Sequence, residues 1–312
     1  MELDKILGIE YPIIQGGMAQ ISDGEFAAKV SEAGALGVIG SGNMTGEELR
    51  EQIRICKSLT QKPFGVNLLL LSPHSDHMAD VVVEEEVPVI TTGAGSPAKY
   101  IDRWHRAGIR IFPVVPNPTL AIRMERYGVD GVIVEGNEAG GHIGDMTSMT
   151  LIPQARDRVN IPIIAAGGIA SGRQLLAAQI LGAVGVQIGT LFLSSTECPI
   201  HAKYKELLLK SKYNNITVIG QIAGLPTRMI KNQMTRNYIM EEKKGKHKME
   251  LERYTLGALK TAVETGDLKK GSFMAGLALS QIEEIRPIKE ILEGLMREYR
   301  EELEKVQYEH KD

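Results

Sequence analysis

Cysteine is nearly absent from this chain, with only Cys56 and Cys198 among 312 residues. Neither stands in a metal-ligand spacing, and so small a supply builds no disulfide framework. It suits a reducing, cytoplasmic setting. A charge excess of one sign is missing too. The 36 Lys and Arg nearly match 39 Asp and Glu, for a net charge of −3, so no global basic field marks a nucleic-acid binder. Long hydrophobic runs are also lacking, and the opening "MELDKILGIEYP" carries acidic residues instead of the apolar core of a signal peptide. Neither a leader nor a membrane span is expected. The 43% hydrophobic content therefore belongs to a globular interior, enough for one large core or two modest domains.

Glycine is what the chain has in excess: 33 of 312 residues, against a usual share of roughly 7%. Many of these glycines close short apolar runs. "YPIIQGG", "ALGVIGSG", "PFGVNLLL", "VPVITTGAG", "IRIFPVVPN", "DGVIVEGNEAGG", "IPIIAAGG" and "VGVQIGT" make eight such runs, separated by stretches of helical spacing such as "GEELREQIRICKSL" and "SGRQLLAAQILGA". Near-continuous apolar strands alternating with helices predict a parallel sheet covered on both faces. Eight units favour a closed (β/α)8 TIM barrel over an open doubly wound sheet. After Thr190 the rhythm breaks into Lys-rich, helix-prone sequence and resumes with the amphipathic "IRPIKEILEGLMREYREELEKVQ". The expected organisation is a barrel over residues 1–195 plus 286–312, with a mostly helical lid over 196–285 inserted after the eighth strand.

Barrel active sites gather at the C-terminal ends of the strands. The residues there include Gly16, Gly17 and Met18 after the first run, Asn67 on the third, Glu135, Gly140 and His142 on and after the sixth, and the loops "AAGGIASG" and "VQIGT" after the seventh and eighth. Glycine-rich loops at those last two positions present backbone amides to a phosphate. Gly167, Gly168, Gly189 and Thr190 form that cradle, and the phosphate belongs either to a substrate or to a cofactor. Asn67 suits the edge of a flat heterocycle such as a flavin ring, or else serves as a turn or cap amide. Glu135 and Gln187 bind ligand hydroxyls or simply face solvent. His142 follows the pair Gly140 and Gly141, which would let the backbone pass close to a flat cofactor and turn the imidazole into the mouth. Titration near neutrality suits a proton donor or acceptor; a structural histidine is the alternative.

Taken in order, "YPIIQGGMA", "KPFGVNLLLLSP", "TTGAGSP", "EGNEAGGHIG", "IPIIAAGGIASG" and "VQIGT" resemble the FMN-dependent nitronate monooxygenase and type II enoyl-acyl-carrier-protein reductase family. The resemblance covers the whole barrel; beyond about residue 200 it rests on "MIKNQMTR" and "GSFMAG", which resemble the reductase branch. It implies FMN contacts at Gly17, Met18, Asn67, Glu135, Gly140, Gly168, Gln187, Gly189 and Thr190, and an active-site role for His142. It also implies NADH or NADPH as reductant, with a monovalent cation as a further candidate cofactor. Leu277 stands where many relatives carry glutamine after "MAG".

The resemblance implies one of two reactions. In the reductase, hydride from a nicotinamide reaches the β-carbon of a trans-2-enoyl thioester by way of FMN, and His142 supplies the α-carbon proton or steadies the enolate. In the monooxygenase, His142 assists removal of the proton beside a nitro group. Charge placement favours the reductase. Residues 201–250 hold eleven Lys and Arg against four Glu, a local +7 that leaves −10 for the rest of a chain of net −3. A basic lid is a dock for an acidic acyl carrier protein, which becomes the expected partner, with a homodimer as a second possibility and neither nucleic acid nor membrane. A non-redox phosphate-binding barrel is the reading from another class. An inosine-monophosphate-dehydrogenase-like barrel is disfavoured, because Cys198 follows the eighth strand and not the sixth.

Overall fold

The computed structural model describes residues 1–308. Eight parallel strands run through the barrel: β1 (Ile13–Gln15), β2 (Gly37–Gly40), β3 (Phe64–Leu69), β4 (Val89–Gly93), β5 (Arg110–Val115), β6 (Val132–Glu135) and, after a two-residue strand β7 (Gly141–His142), β8 (Ile163–Ala166) and β9 (Gly185–Ile188). Their order around the sheet is β1-β9-β8-β6-β5-β4-β3-β2. The ring closes where Gln15 N–H donates to Leu36 O and Leu36 N–H to Ile13 O, both at 2.9 Å. This is the expected (β/α)8 barrel.

Side chains alternate across each strand, so they divide into two cores. Ile14, Leu36, Val38, Val89, Phe112, Ile133 and Ile164 pack together inside the barrel, while Ile13, Val66, Ile90, Ile111, Val132, Ile163 and Val186 face the surrounding helices. The N-terminal helix Leu3–Leu7 plugs the far end of the barrel: Leu3 and Leu7 join the inner core, and a Cβ on Gly185 would lie 2.3 Å from the Leu3 side chain. The terminal helix Ile288–Tyr308 packs as the eighth barrel helix against Gly172–Ile180. Gly172 is required there, because a Cβ would lie 2.2 Å from the Tyr299 amide nitrogen.

Between β9 and that last helix lie the helices Ala202–Lys210, Gln233–Lys243, Lys248–Glu252 and Ala258–Glu264, and a hairpin of β10 (Ile216–Ile219) and β11 (Thr227–Ile230). The hairpin is absent from a mostly helical reading of this region. Its strands begin in the β-branched run "ITVI" and turn through Gly220 and Gly224 at φ +74° and +75°, conformations that suit glycine. β11 pairs antiparallel with both β10 and β7, so the segment holding His142 is the third strand of this small sheet. No helix of the described residues is long and apolar enough to cross a membrane.

Candidate functional site

The same alternation that builds the barrel interior makes its last layer polar. Two residues beyond the inward Gly65, Val89, Ile133 and Gly185 come Asn67, Thr91, Glu135 and Gln187, so all four point into the mouth. Asn67 pairs with Thr91 across β3 and β4, and Glu135, Ala166 and Gln187 form one row across β6, β8 and β9. Asn67 is a strand residue, which removes the turn or cap reading. Its Oδ1 accepts from Thr91 Oγ1 at 3.0 Å and its Nδ2 donates to Gly17 O at 3.4 Å, which leaves one amide hydrogen without a partner among the described residues. Gly17 must lack a side chain, since a Cβ would come within 2.4 Å of Asn67 Cβ. Met18 spends its amide on Ser22 Oγ at 3.0 Å and offers the site its thioether, 3.8 Å from where a Cβ on Gly189 would stand.

The loops after β8 and β9 meet beside this layer. Gly167 and Gly168 have φ of +92° and +79°, and a Cβ on Gly167 would press on Gly136 O at 2.8 Å. The amides of Gly168, Gly189 and Thr190 donate to no group among the described residues. Thr190 Oγ1 accepts from Gly276 N–H at 2.9 Å, which leaves its own hydrogen free to donate. Undonated amides and a hydroxyl at two adjacent strand ends fit a phosphate group. A flat ring extending from that phosphate across Asn67, Glu135 and Gln187 fits the inward polar row. The residues present therefore suit FMN.

His142 sits on β7 with its backbone paired to Thr227 and with Gly141 paired to Arg228. Much of the residue remains open to solvent, yet enough protein surrounds the ring to push its pKa below the usual histidine value. Its imidazole has no hydrogen-bond partner among the described residues. Gly141, at φ +79°, makes the turn into β7. Gly140 has a reason to be glycine that the sequence does not show: a Cβ there would lie 2.6 Å from the carbonyl carbon of Ala275, so it passes close to the strap Ala275–Gly276 from the insertion. Glu138, in the same loop, accepts from Ser148 N–H at 3.0 and 3.1 Å and from Ser148 Oγ at 3.0 Å. It places a carboxylate at the start of the helix Ser148–Arg156. Arg228, Glu138 and Gly276 escaped sequence reasoning, because what identifies them is contact between segments far apart in the chain.

Glu135 is partly exposed at the end of β6, has no hydrogen-bond partner among the described residues, and is surrounded by enough protein that burial pushes its pKa up from 4.5 to about 7. The folded protein then holds a proton that the unfolded chain releases, so stability falls as pH rises from about 4.5 to about 7 and is level above. In flavin-free protein, Glu135→Gln will remove this loss: its Tm advantage over wild type will grow across that window and then stay constant. Thermal unfolding of both proteins at a series of pH values checks this, and parallel Tm curves would show that the carboxyl titrates normally.

The chain matches the family model for nitronate monooxygenase over residues 1–81 and 72–298. It is 33% identical over 235 residues to a (3aS,4S,5R,7aS)-5-hydroxy-7a-methyl-1-oxo-octahydro-1H-indene-4-carboxyl-CoA dehydrogenase of Rhodococcus jostii, covering 75% of this chain and 67% of that one. It is 34% identical over 275 residues to a probable nitronate monooxygenase of Staphylococcus saprophyticus, covering 73% and 78%. Among solved structures, FabK from Thermotoga maritima superposes with a TM-score of 0.95 at 44% identity over 98% of both chains. A nitroalkane oxidase from Streptomyces ansochromogenes gives 0.87 at 27% identity, over 98% of this chain and 100% of that one.

Proposed function

Because this chain belongs to the nitronate monooxygenase family, whose members are flavin-dependent oxidoreductases, we propose that it is an FMN-dependent enoyl-acyl-carrier-protein reductase using NADH or NADPH. The observation that carries this reading is the 44% identity to FabK, an enoyl-acyl-carrier-protein reductase, over nearly the whole of both chains. The Rhodococcus relative, named for a carboxyl-CoA substrate, supports a thioester as the group recognised.

FMN held in the mouth would supply the two-electron chemistry that links a nicotinamide to the β-carbon of an enoyl thioester. The chain's residues do the rest. Gly168, Gly189 and Thr190 hold the phosphate, Asn67, Glu135 and Gln187 border the ring, and His142 serves the α-carbon proton or the thioester oxygen. Exposed cations of the insertion, among them Lys203, Lys212, Arg236, Lys243 and Lys248, offer an acidic carrier protein its docking face. Arg228, counted in the local +7, is buried and takes no part in it.

A cradle with amides for one phosphate, and no separate Rossmann half for an adenylate, leads to the expectation that acid treatment releases FMN. Release of FAD would overturn that assignment. The reaction itself is tested by anaerobic reduction with each nicotinamide, then reoxidation by crotonyl thioester or by oxygen in separate experiments. Fast reoxidation by the thioester, with saturated product, is expected. The second reading, nitronate oxidation, is favoured by the staphylococcal relative's name. Reoxidation by oxygen alone, with nitronate consumed, would select it.

A further inference from the structure

Arg228 is a cation buried without a carboxylate in contact among the described residues. Only 8% of its surface is exposed, and its hydrogen bonds go to neutral oxygens: Nε–H to Ala139 O at 3.1 Å and to Asn137 O at 3.3 Å, Nη2–H to Asn137 O at 2.9 Å and to Asn137 Oδ1 at 2.8 Å. Burial lowers its pKa, with the more distant charge of Glu138 opposing. A buried charge without a paired ion is costly. What arginine supplies here is a rigid planar fork of donors that reaches several acceptors at once.

Those acceptors form the neck of a loop whose far end is His142. Asn137 N–H donates to Met146 O at 2.7 Å and Asn137 Nδ2 to Gly144 O at 2.6 Å, so residues 137–146 close on themselves. On the other side, β11 holds the loop through the pairs Arg228–Gly141 and Thr227–His142 and through Ile143 N–H to Pro226 O at 3.1 Å. The imidazole has no partner of its own among the described residues, so its place is set by these two grips on the backbone. Both grips come from the inserted hairpin, and one residue, Arg228, contributes to each.

We propose that Arg228 is a positioning residue: its guanidinium locks the 137–146 loop against β11 and so aims His142 into the barrel mouth. Insofar as the aim concerns an enoyl thioester, the inference rests on the reductase reading above. It makes the inserted hairpin part of the reaction geometry as well as a cover.

The test uses FMN-loaded wild type, Arg228→Ala and Arg228→Lys, with the two half-reactions followed separately by stopped flow and backbone amide exchange followed by mass spectrometry. A misplacement of about 1 Å can cost on the order of 10²-fold in rate. In Arg228→Ala the maximal rate of enoyl-dependent reoxidation should therefore fall by about 10- to 100-fold, with the KM for thioester, reduction by nicotinamide and FMN content little changed. Arg228→Lys keeps the charge but lacks the fork and should fall nearly as far. Methylguanidine should restore the alanine variant and not the lysine variant. Residues 137–146 should exchange faster in both variants, with the barrel strands unchanged. The inference is overturned by a lysine variant at the wild-type rate, by an alanine variant within about threefold of it, far under the misplacement effect, or by unchanged exchange in the loop. Joint loss of FMN, both half-reactions and barrel protection would equally overturn it, since Arg228 would then be holding the fold. Failure of the reductase reading looks different: wild type itself would not be reoxidised by the thioester, and loop exchange would still decide whether Arg228 holds the loop.

Discussion

His142→Ala will keep its FMN and lose about 10²- to 10⁴-fold in enoyl-dependent reoxidation, the range that general acid catalysis usually supplies. The reason is placement. His142 lies on β7 of the inserted sheet, outside the loops after β8 and β9, and its ring makes no hydrogen bond within the described chain, so removing it takes nothing from the cradle. Reduction by nicotinamide should suffer far less, because that hydride transfer needs no proton from this side chain. Burial holds the imidazole below its ordinary pKa, and this separates its two possible roles by pH. A ring that delivers the α-carbon proton must be charged, so the wild-type rate will fall as pH rises through that lowered value, and the fall will be absent in the alanine variant. A rate flat at neutral pH that drops on acidification would instead assign the neutral ring to holding the thioester oxygen. An alanine variant within about threefold of wild type, beneath the lower bound for acid catalysis, would make His142 structural.

The barrel and its mouth were legible because both follow from one period. Counting two residues along "FGVNLL", "VITTG", "VIVE" and "GVQI" puts Asn67, Thr91, Glu135 and Gln187 on the inward face. Glycine punctuation then marks where each strand ends and the chemistry begins. The inserted sheet was not legible. β7 is two residues long, too short to carry a period, and it becomes a strand only because β11, far along the chain, pairs with it. The run "ITVI" is strand-like in propensity but lies among lysine-rich helices that dominate the local composition. Propensity also misleads the other way at "DVVVE", which lies in the helix Ser75–Glu84 because Val81 and Val82 find the outer core there. Gly140 shows the same limit at one residue: its need to be glycine was readable, but the neighbour that imposes it, the strap Ala275–Gly276, is a tertiary fact.

Gly168→Asp is expected to yield a folded barrel with little or no flavin. At φ +79° any side chain at this position is strained by roughly 1–2 kcal/mol, an amount a domain of typical stability survives. A Cβ would stand 3.0 Å from Glu138 Cβ and 3.4 Å from its Cγ, so the new side chain starts against that of Glu138. Two consequences follow. The carboxylates of residues 168 and 138 repel each other in a partly desolvated place, which pushes the loop after β8 away from the loop that leads to His142. The Gly168 amide moves with that loop, and a phosphate held there would meet an added negative charge close by. Gly168→Ala carries the backbone strain and the Cβ contact without the charge, so it should lose less flavin than the aspartate variant. Flavin absorbance per protein after purification, with circular dichroism as the check on folding, measures both. Full occupancy in the aspartate variant would show that the phosphate is held elsewhere, and that Gly167 and Gly168 serve only the turn against Gly136 and Glu138.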